Sequence, residues 1–351
     1  MSLETPPPRL NLVGASRGQI AAVLADIDPR PYRVEQVYHW VTRRLVASID
    51  DMSDLSKPLR AALAERATVV DPEVVELAHG ADGTLKLALS HTDGSVVEAV
   101  VMPMEGHVTV CLSVQTGCAV GCVFCVTGAL GPGRNLTGAE IFGQYRAILR
   151  STGLAGQPLN LVFMGMGEPL LNLEGLERAL ELLGDTVSPR RITVSTSGIV
   201  PGLRRLAALP RRPNLAVSLN ATTQAQRSRL MPGAARWTLE ELLQALHAYP
   251  LERGRRITVE YVLVAGFNDA LEDARRLPGL LRGLPVKVNL IPLNPDTQFL
   301  PGLQAPDEER INAFAATLAA SHMNVTVRWS KGQEVGAACG QLRGRLLRTA
   351  K

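Results

Sequence analysis

Three thiols in the stretch Cys118-Ala-Val-Gly-Cys122-Val-Phe-Cys125 constrain this chain more than any other feature. Two cysteines make a redox pair and four close a tetrahedral zinc site, but a C-x3-C-x2-C trio leaves one metal position open. An iron-sulfur cube held by three thiolates keeps one iron free to bind a substrate or cofactor. Gly121 between the ligands and Phe124 before the last cysteine suit a tight turn that shields a cluster on one side. A zinc knuckle completed by a distant ligand, and plain buried thiols, are the two other readings of the spacing. The remaining cysteines are Cys111, just upstream, and Cys339, near the other end. Without a secretion signal, such usage points to metal or catalytic chemistry rather than to a disulfide framework.

At 351 residues and 46% hydrophobic content, the chain has room for one large α/β domain and a smaller one. No apolar run approaches the roughly 18 residues of a membrane span, and the N-terminal MSLETPPPRL has no apolar signal region. A soluble cytoplasmic protein, monomeric by default, is expected. The net charge is +4 with 37 basic residues, almost all arginine. Arginine forks suit phosphate oxygens, so this charge permits an RNA partner without requiring one.

Residues 1–12 are Pro-rich and expected to be poorly ordered. Over 16–68 the apolar positions Ile20, Val23, Leu24, Val34, Val37, Trp40, Val41, Leu55, Leu59 and Leu63 recur at helical spacing. Residues 1–68 read as a helical N-terminal domain, either a packing accessory or, the reading we favour, a module that grips RNA through Arg30, Arg33, Arg43, Arg44 and Arg60. Turn signals at Asp82-Gly83 and Asp93-Gly94 then mark an antiparallel β ribbon over 69–103, expected as a linker. From residue 104 strands alternate with helices: strands at 109–114, 160–164, 191–195, 214–218, 257–264 and 286–291, with a last one at 324–329. Helices are expected at 138–150, 173–183, 200–207, 239–248, 270–281 and 307–320. Alternation of this kind predicts an α/β fold, an open or partial (βα)6 barrel over 104–351, with chemistry at the carboxyl ends of its strands.

The polar motifs obey that rule. The cysteine loop follows the first strand, Gly165-Met166-Gly167-Glu168 the second and Ser195-Thr196-Ser197-Gly198 the third; Ser218-Leu219-Asn220 and Asn294 end the fourth and sixth. Gly167 lets backbone approach a ligand, and Glu168 offers an acceptor for an ammonium group, although a strand-to-helix turn with a Glu at the helix start has the same sequence. Ser195, Ser218, Asn220 and Asn294 serve either as hydrogen-bonding ligand contacts or as turn and cap residues. Cys111, on the first strand, is too far along an extended chain to join the cluster comfortably and reads as a buried small hydrophobe. Cys339, among small residues in Gly336-Ala337-Ala338-Cys339-Gly340-Gln341, reads as an accessible thiol. Glu98 is a lone carboxylate in the apolar strand Val96-Val97-Glu98-Ala99-Val100, where alternation puts it on the solvent face.

The cysteine spacing, with Gln115-Thr116-Gly117 before it and Arg134-Asn135-Leu136-Thr137 after it, resembles the radical S-adenosylmethionine (SAM) enzymes. Over about residues 16 to 348 the chain resembles the RlmN/Cfr family of 23S rRNA adenine methyltransferases, most like its dual-specificity RlmN members. The resemblance implies that Cys118, Cys122 and Cys125 hold a [4Fe-4S] cluster. It further implies that Gly167, Glu168, Ser195, Ser218, Leu219, Asn220 and Asn294 bind SAM, with Asn220 standing where a His is common. Cys339 matches the family's methyl-carrying cysteine, Cys111 the cysteine that resolves the adduct through a transient disulfide, and Glu98 a proton acceptor. The implied activity is methylation of adenine C2 in 23S rRNA and, by family habit, in certain tRNAs, with electrons from a donor such as flavodoxin or ferredoxin. C8 methylation of the same adenine, the antibiotic-resistance variant, and a non-catalytic iron-sulfur RNA-binding protein are the alternatives. The chain departs from the family at Lys331, Gln333, Glu334, Val335 and Gly336, and at Pro132-Gly133; these positions are expected to touch RNA or to order the loop of Cys339.

Overall fold

A computed structural model describes residues 9–344. Strands β1 (Leu10–Asn11) and β2 (Ala67–Thr68) pair in parallel and bracket the helices α1 (Arg17–Leu24), α2 (Pro31–Thr42) and α3 (Lys57–Arg66). Ser16 and Gln19 form a reciprocal capping box on α1, and Pro31 opens α2, so both starts are written in local sequence. The expected disorder over 1–12 fails for residues 9–12: Asn11 Oδ1 accepts from Val13 and Val70 N–H, and Leu12 is buried. Residues 1–8 lie outside the described part.

Strands β3 (Glu73–His79), β4 (Leu85–Ser90) and β5 (Val96–Met104) run antiparallel into β6 (His107–Cys111). Beyond it follow β7 (Leu159–Phe163), β8 (Ile192–Thr196), β9 (Asn214–Ser218), β10 (Ile257–Leu263), β11 (Val286–Pro292) and β12 (Val325–Val327), parallel to one another and to β6. The result is one ten-stranded sheet in unbroken sequential order, so the ribbon expected as a linker continues the main sheet through the β5–β6 pairing. The connecting helices are α4 (Val126–Ala129), α5 (Gly138–Thr152), α6 (Leu173–Leu183), α7 (Val200–Ala207), α8 (Gln224–Leu230), α9 (Leu239–His247), α10 (Leu271–Leu280) and α11 (Glu308–Ala320). Sequential parallel strands joined by right-handed crossovers put these helices on one face, and the sheet curls into an open, partial (βα)6 barrel rather than a closed one.

Register decides which side chains look inward. Cys111 pairs with Val100 and Val162, Val162 with Thr193, Ser195 with Ala216, Ser218 with Glu260, Glu260 with Asn289 and Asn289 with Thr326. Paired residues share a face, so these positions line the concave side. Their neighbours Leu161, Phe163, Ile192, Val194, Leu215, Val217, Val259, Tyr261, Val288 and Leu290 point the other way and are buried under the helices. The N-terminal helices are bolted to this outer layer. The buried Arg146 of α5 donates to Asp71 (2.7 Å) and to the carbonyls of Val41 and Val46, while Tyr38 donates to Asp185 (2.6 Å). No helix among the described residues is long and apolar enough to cross a membrane.

Candidate active site

The two short motifs flanking the cysteine loop clasp its base. Thr116 N–H donates to the Arg134 carbonyl (3.0 Å), Arg134 N–H to Thr116 Oγ1 (3.0 Å) and Cys118 N–H to the Gly131 carbonyl (3.0 Å). Gln115 Nε2 donates to Asn135 (2.7 Å), and its Oε1 accepts from the Glu168 N–H (2.8 Å), so the clasp also fixes the loop after β7. Gly121 turns the loop at φ +65°, a conformation that favours glycine. Cys118, Cys122 and Cys125 thereby ring one cavity of about 160 Å3 at the carboxyl ends of the strands. Among the described residues no three His, Cys, Asp or Glu side chains converge as they would around a single metal ion. A cube, which ties each thiolate to a different iron, needs only that the three face a common space.

Burial pushes the Cys118 thiol up to about 12 and raises Cys122 and Cys125, with neighbouring thiols adding to the shift at Cys122. Three half-buried thiolates facing one cavity need a positive partner to neutralise them, which is the demand a cluster meets. The residues present thus fit the group that the spacing implies.

Opposite the thiols stands Glu168, 4% exposed. Its Oε1 accepts from Thr196 Oγ1 (2.6 Å) and Leu170 N–H (3.0 Å), and its Oε2 from Ser197 N–H (2.7 Å). Burial raises its pKa and these hydrogen bonds oppose the rise. It caps the turn at Pro169–Leu171 and faces the cavity as well, so the two readings of this residue coexist. Gly167 sits at φ +97°, and a Cβ there would lie 2.5 Å from Gln115 Cβ. Ser195, Ser218 and Asn294 line the same cavity. Leu219 and Asn220 do not; both are 1% exposed, and Asn220 holds a left-handed turn at φ +56° while its Oδ1 accepts from Val262 N–H (2.8 Å).

A second cavity, about 90 Å3, adjoins the first and shares the walls Met164, Ile291, Arg328 and Cys339 with it. Cys111 and Cys339 both face it. Cys111 is buried, as a strand hydrophobe would be, and burial pushes its thiol up to about 12, with the charge of Cys339 adding to the shift. Cys339 is exposed. Its loop is tied to the cluster loop and the barrel rim: Val126 N–H donates to the Gly340 carbonyl (2.7 Å), Thr127 Oγ1 to the Leu342 carbonyl (2.8 Å) and Asn294 Nδ2 to the Cys339 carbonyl (3.0 Å). Three departures from the family pattern, Gln333, Lys331 and Glu334, serve this loop together with the neighbouring Gly332. Gln333 donates to Asn294 (2.9 Å), Lys331 to the Pro103 carbonyl (2.7 Å) and Gly332 N–H to Asp82 (3.0 Å), and Glu334 accepts from Ala81 N–H.

Glu98 overturns the solvent-face expectation. It is 0% exposed on the concave side of β5, two residues from Val100, the partner of Cys111. Lys86 Nζ stands 3.1 Å from its Oε1 as an ion pair, and Arg343 N–H donates to its Oε2 (2.6 Å). Oε1 itself has no hydrogen bond, and Glu98 is in the lining of neither cavity.

Two inward-facing residues escaped the sequence reading. Glu260 is buried in the first cavity and Arg328 lies on the wall between the two. The signal for Glu260 was present, a lone carboxylate in the apolar strand Val259-Glu260-Tyr261, just as for Glu98. Of the arginines expected to grip RNA, Arg30 and Arg33 are paired with Asp28, and Arg60 donates to the Asp50 carbonyl. Arg44 stacks over Trp40. A wide depression at the opposite rim, lined by Arg256, Arg275 and Arg282 among others, contains none of the candidate residues.

Comparison with known proteins gives matches along nearly the whole chain. A family model described as "Ribosomal RNA large subunit methyltransferase N-terminal domain" matches residues 10–69, and "Radical SAM superfamily" matches residues 112–277. The dual-specificity RNA methyltransferase RlmN of Anaeromyxobacter sp. (strain Fw109-5) is 46% identical over 349 residues, covering 96% of this chain and 91% of its own. That of Solidesulfovibrio magneticus is 46% identical over 344 residues, covering 95% and 96%. A solved radical SAM methyltransferase from Sphaerobacter thermophilus superposes with a TM-score of 0.90 at 43% identity, covering 95% of this chain and 99% of its own.

Proposed function

The chain belongs to the RlmN family of radical SAM RNA methyltransferases, and from that premise we propose that it methylates C2 of an adenine in 23S rRNA and in tRNAs. It is an enzyme that uses a [4Fe-4S] cluster and SAM. The observation that carries the reading is the pair of adjoining cavities, one ringed by three cysteines and the other faced by Cys111 and Cys339, with Cys339 on both.

When bound, the cluster and SAM supply an electron and radical chemistry, which an adenine carbon between two nitrogens requires because it is not a nucleophile. Cys118, Cys122 and Cys125 hold the cluster. Glu168, with Gly167 giving backbone room, takes the amino group of SAM; Ser195, Ser218 and Asn294 take its other polar groups, and Leu219 and Asn220 shape the turn behind them. Cys339 carries the methyl group as a thioether, and that carbon bonds to C2 of the base once the radical chemistry has taken one of its hydrogens, the odd electron left on the adduct then being given up. Cys111 then attacks the Cys339 sulfur and breaks its bond to the added carbon, which takes up a proton as the methylated base leaves and the disulfide forms; Glu98, ion-paired with Lys86 through Oε1, is the acceptor we assign to the ring proton. A cytosolic thiol reductant reopens the disulfide, and a donor such as flavodoxin or ferredoxin supplies electrons to a monomeric, cytoplasmic enzyme. RNA approaches over the second cavity, where Trp329 and Met104 are exposed at the edge, and along the N-terminal helices through Arg43 and Arg44.

The test is anaerobic turnover of reconstituted protein with an rRNA fragment and reductant, followed by mass spectrometry of the digested RNA. Methyl at C2 is expected, with loss of transfer but retention of the cluster in Cys339→Ala, and protein joined covalently to RNA in Cys111→Ala. Methyl at C8 would move the chain to the resistance chemistry, and absence of deoxyadenosine would favour the non-catalytic reading.

A further inference from the structure

Glu260 and Arg328 form an unfilled acceptor and donor pair on the barrel wall. The pairing register sets Glu260 beside Ser218 on one side and Asn289 on the other, all facing inward. The carboxylate is 4% exposed; Oε1 accepts from Asn289 Nδ2 (3.2 Å), while Oε2 is buried without any hydrogen-bond partner. An unsatisfied carboxylate oxygen in a cavity wall is costly unless a ligand donates to it. Arg328, just beyond β12, faces the same space. Its only side-chain hydrogen bond among the described residues is a long contact to Met164 Sδ (3.8 Å), so most of its donors are unspent. Burial raises the Glu260 carboxyl, and the charge of Arg328 is the largest influence opposing it, yet the two groups make no ion pair among the described residues. Val262 and Ile291 put apolar surface beside them.

We propose that Glu260 and Arg328 clamp an adenosine, Glu260 Oε2 accepting from a ribose hydroxyl or the 6-amino group and Arg328 donating to a ring nitrogen. An adenosine offers donors, acceptors and a flat apolar face together, which is what this wall asks for. The inference rests on the function proposed above, in which both the cofactor and the target nucleotide are adenosines. Arg328 lines both cavities, so either source reaches it.

Glu260→Gln is the informative change, because it keeps an oxygen for Asn289 and turns the orphan acceptor into a donor. The probes are S-adenosylhomocysteine, by calorimetry on cluster-loaded protein, and a short rRNA hairpin containing the target adenine, by anaerobic fluorescence anisotropy. If the cofactor's adenosine is held, Glu260→Gln and Arg328→Gln each weaken S-adenosylhomocysteine by at least about tenfold and leave hairpin affinity unchanged. If the target's is held, the loss falls on the hairpin. Unchanged affinity for both probes in both variants, at unaltered iron content and melting temperature, overturns the clamp. Should Glu260→Gln fold poorly, Arg328→Gln alone reads the same outcomes. Wild-type protein that binds neither probe would instead sink the function on which the clamp rests.

Discussion

Glu168→Gln separates two roles that coincide in one carboxylate. In the folded protein three donors converge on it, Thr196 Oγ1 and Leu170 N–H on Oε1 and Ser197 N–H on Oε2. A glutamine has one acceptor oxygen. Placed to keep Thr196 and Leu170, it turns its amide toward the Ser197 N–H, donor against donor, at a cost of about 1–3 kcal/mol. Burial opposes ionisation of the native group, so removing the charge returns part of that cost. The net loss of stability is then about 1–2 kcal/mol, or a few degrees in melting temperature for a chain of this size. Cofactor affinity has no such compensation: a charge-assisted hydrogen bond to an ammonium contributes about 1.5–3 kcal/mol, so binding weakens by about 10- to 150-fold. Calorimetry with S-adenosylhomocysteine on cluster-loaded protein, beside a thermal melt, measures both quantities. A melt that drops while affinity holds would mean that Glu168 only caps the turn after β7, and the assignment of the amino group to it would be wrong.

Gly167→Ala places a Cβ at φ +97° within 2.5 Å of Gln115 Cβ, and we expect a loss of several kcal/mol together with poor iron retention, read by denaturation and iron assay. Cys111 keeps its proton up to about 12 in the folded state, against an ordinary value of 9.0. The unfolded chain therefore binds fewer protons between those values, so this thiol's contribution to stability is intact below about pH 9 and is lost as pH rises toward 12; because Cys118, Cys122 and Cys125 are raised as well, urea titrations of cluster-free protein should show a loss in both wild type and Cys111→Ala, steeper in wild type. At pH 8 the thiolate fraction of Cys111 is about a thousandfold below that of an ordinary thiol, so iodoacetamide should label the exposed Cys339 first in peptide mapping, and equal rates would refute the burial argument. Arg146→Met leaves Asp71 with Arg150 as its remaining partner, strips the Val41 and Val46 carbonyls of their donor and unties α5 from the N-terminal helices; a cost of about 1–3 kcal/mol is expected, with proteolysis concentrating near residues 41–46.

How far these features were legible depended on how local their causes are. Helices α6 and α7 and strand β9 occupy the expected 173–183, 200–207 and 214–218, because apolar period and end signals lie within each segment. Helix α8 was missed: its sequence QAQRSRL has no apolar stripe, and only the capping box of Thr223 and Gln226 announces it. Its Arg227 is nonetheless fully buried, donating to the carbonyls of Ser197, Ser218 and Leu219. The orientation of Glu98 failed because alternation tells which residues share a face and not which face is wet; on β5 both sides are covered. The lone carboxylate of Glu260 was visible in its apolar strand, but only the register with Ser218 and Asn289 turns it inward, and Arg328, just past β12, carries no motif.

The loop of Cys339 and the three-cysteine loop are one mechanical unit, and this ties together residues far apart in sequence. The residue after Cys125 donates its N–H to the carbonyl after Cys339, and Thr127 anchors Leu342. Asn294 lines the cofactor cavity while donating to the Cys339 carbonyl, and Gln333 in turn orients Asn294. A hydrogen bond of this kind contributes only about 0.5–1.5 kcal/mol, so no single one fixes Cys339. Acting in parallel from the cluster loop, the rim of β11 and the β3–β4 turn, they confine an otherwise exposed segment to the wall shared by the two cavities. Substitutions at Lys331, Gln333 or Glu334 therefore loosen that confinement and change where the Cys339 thiol rests.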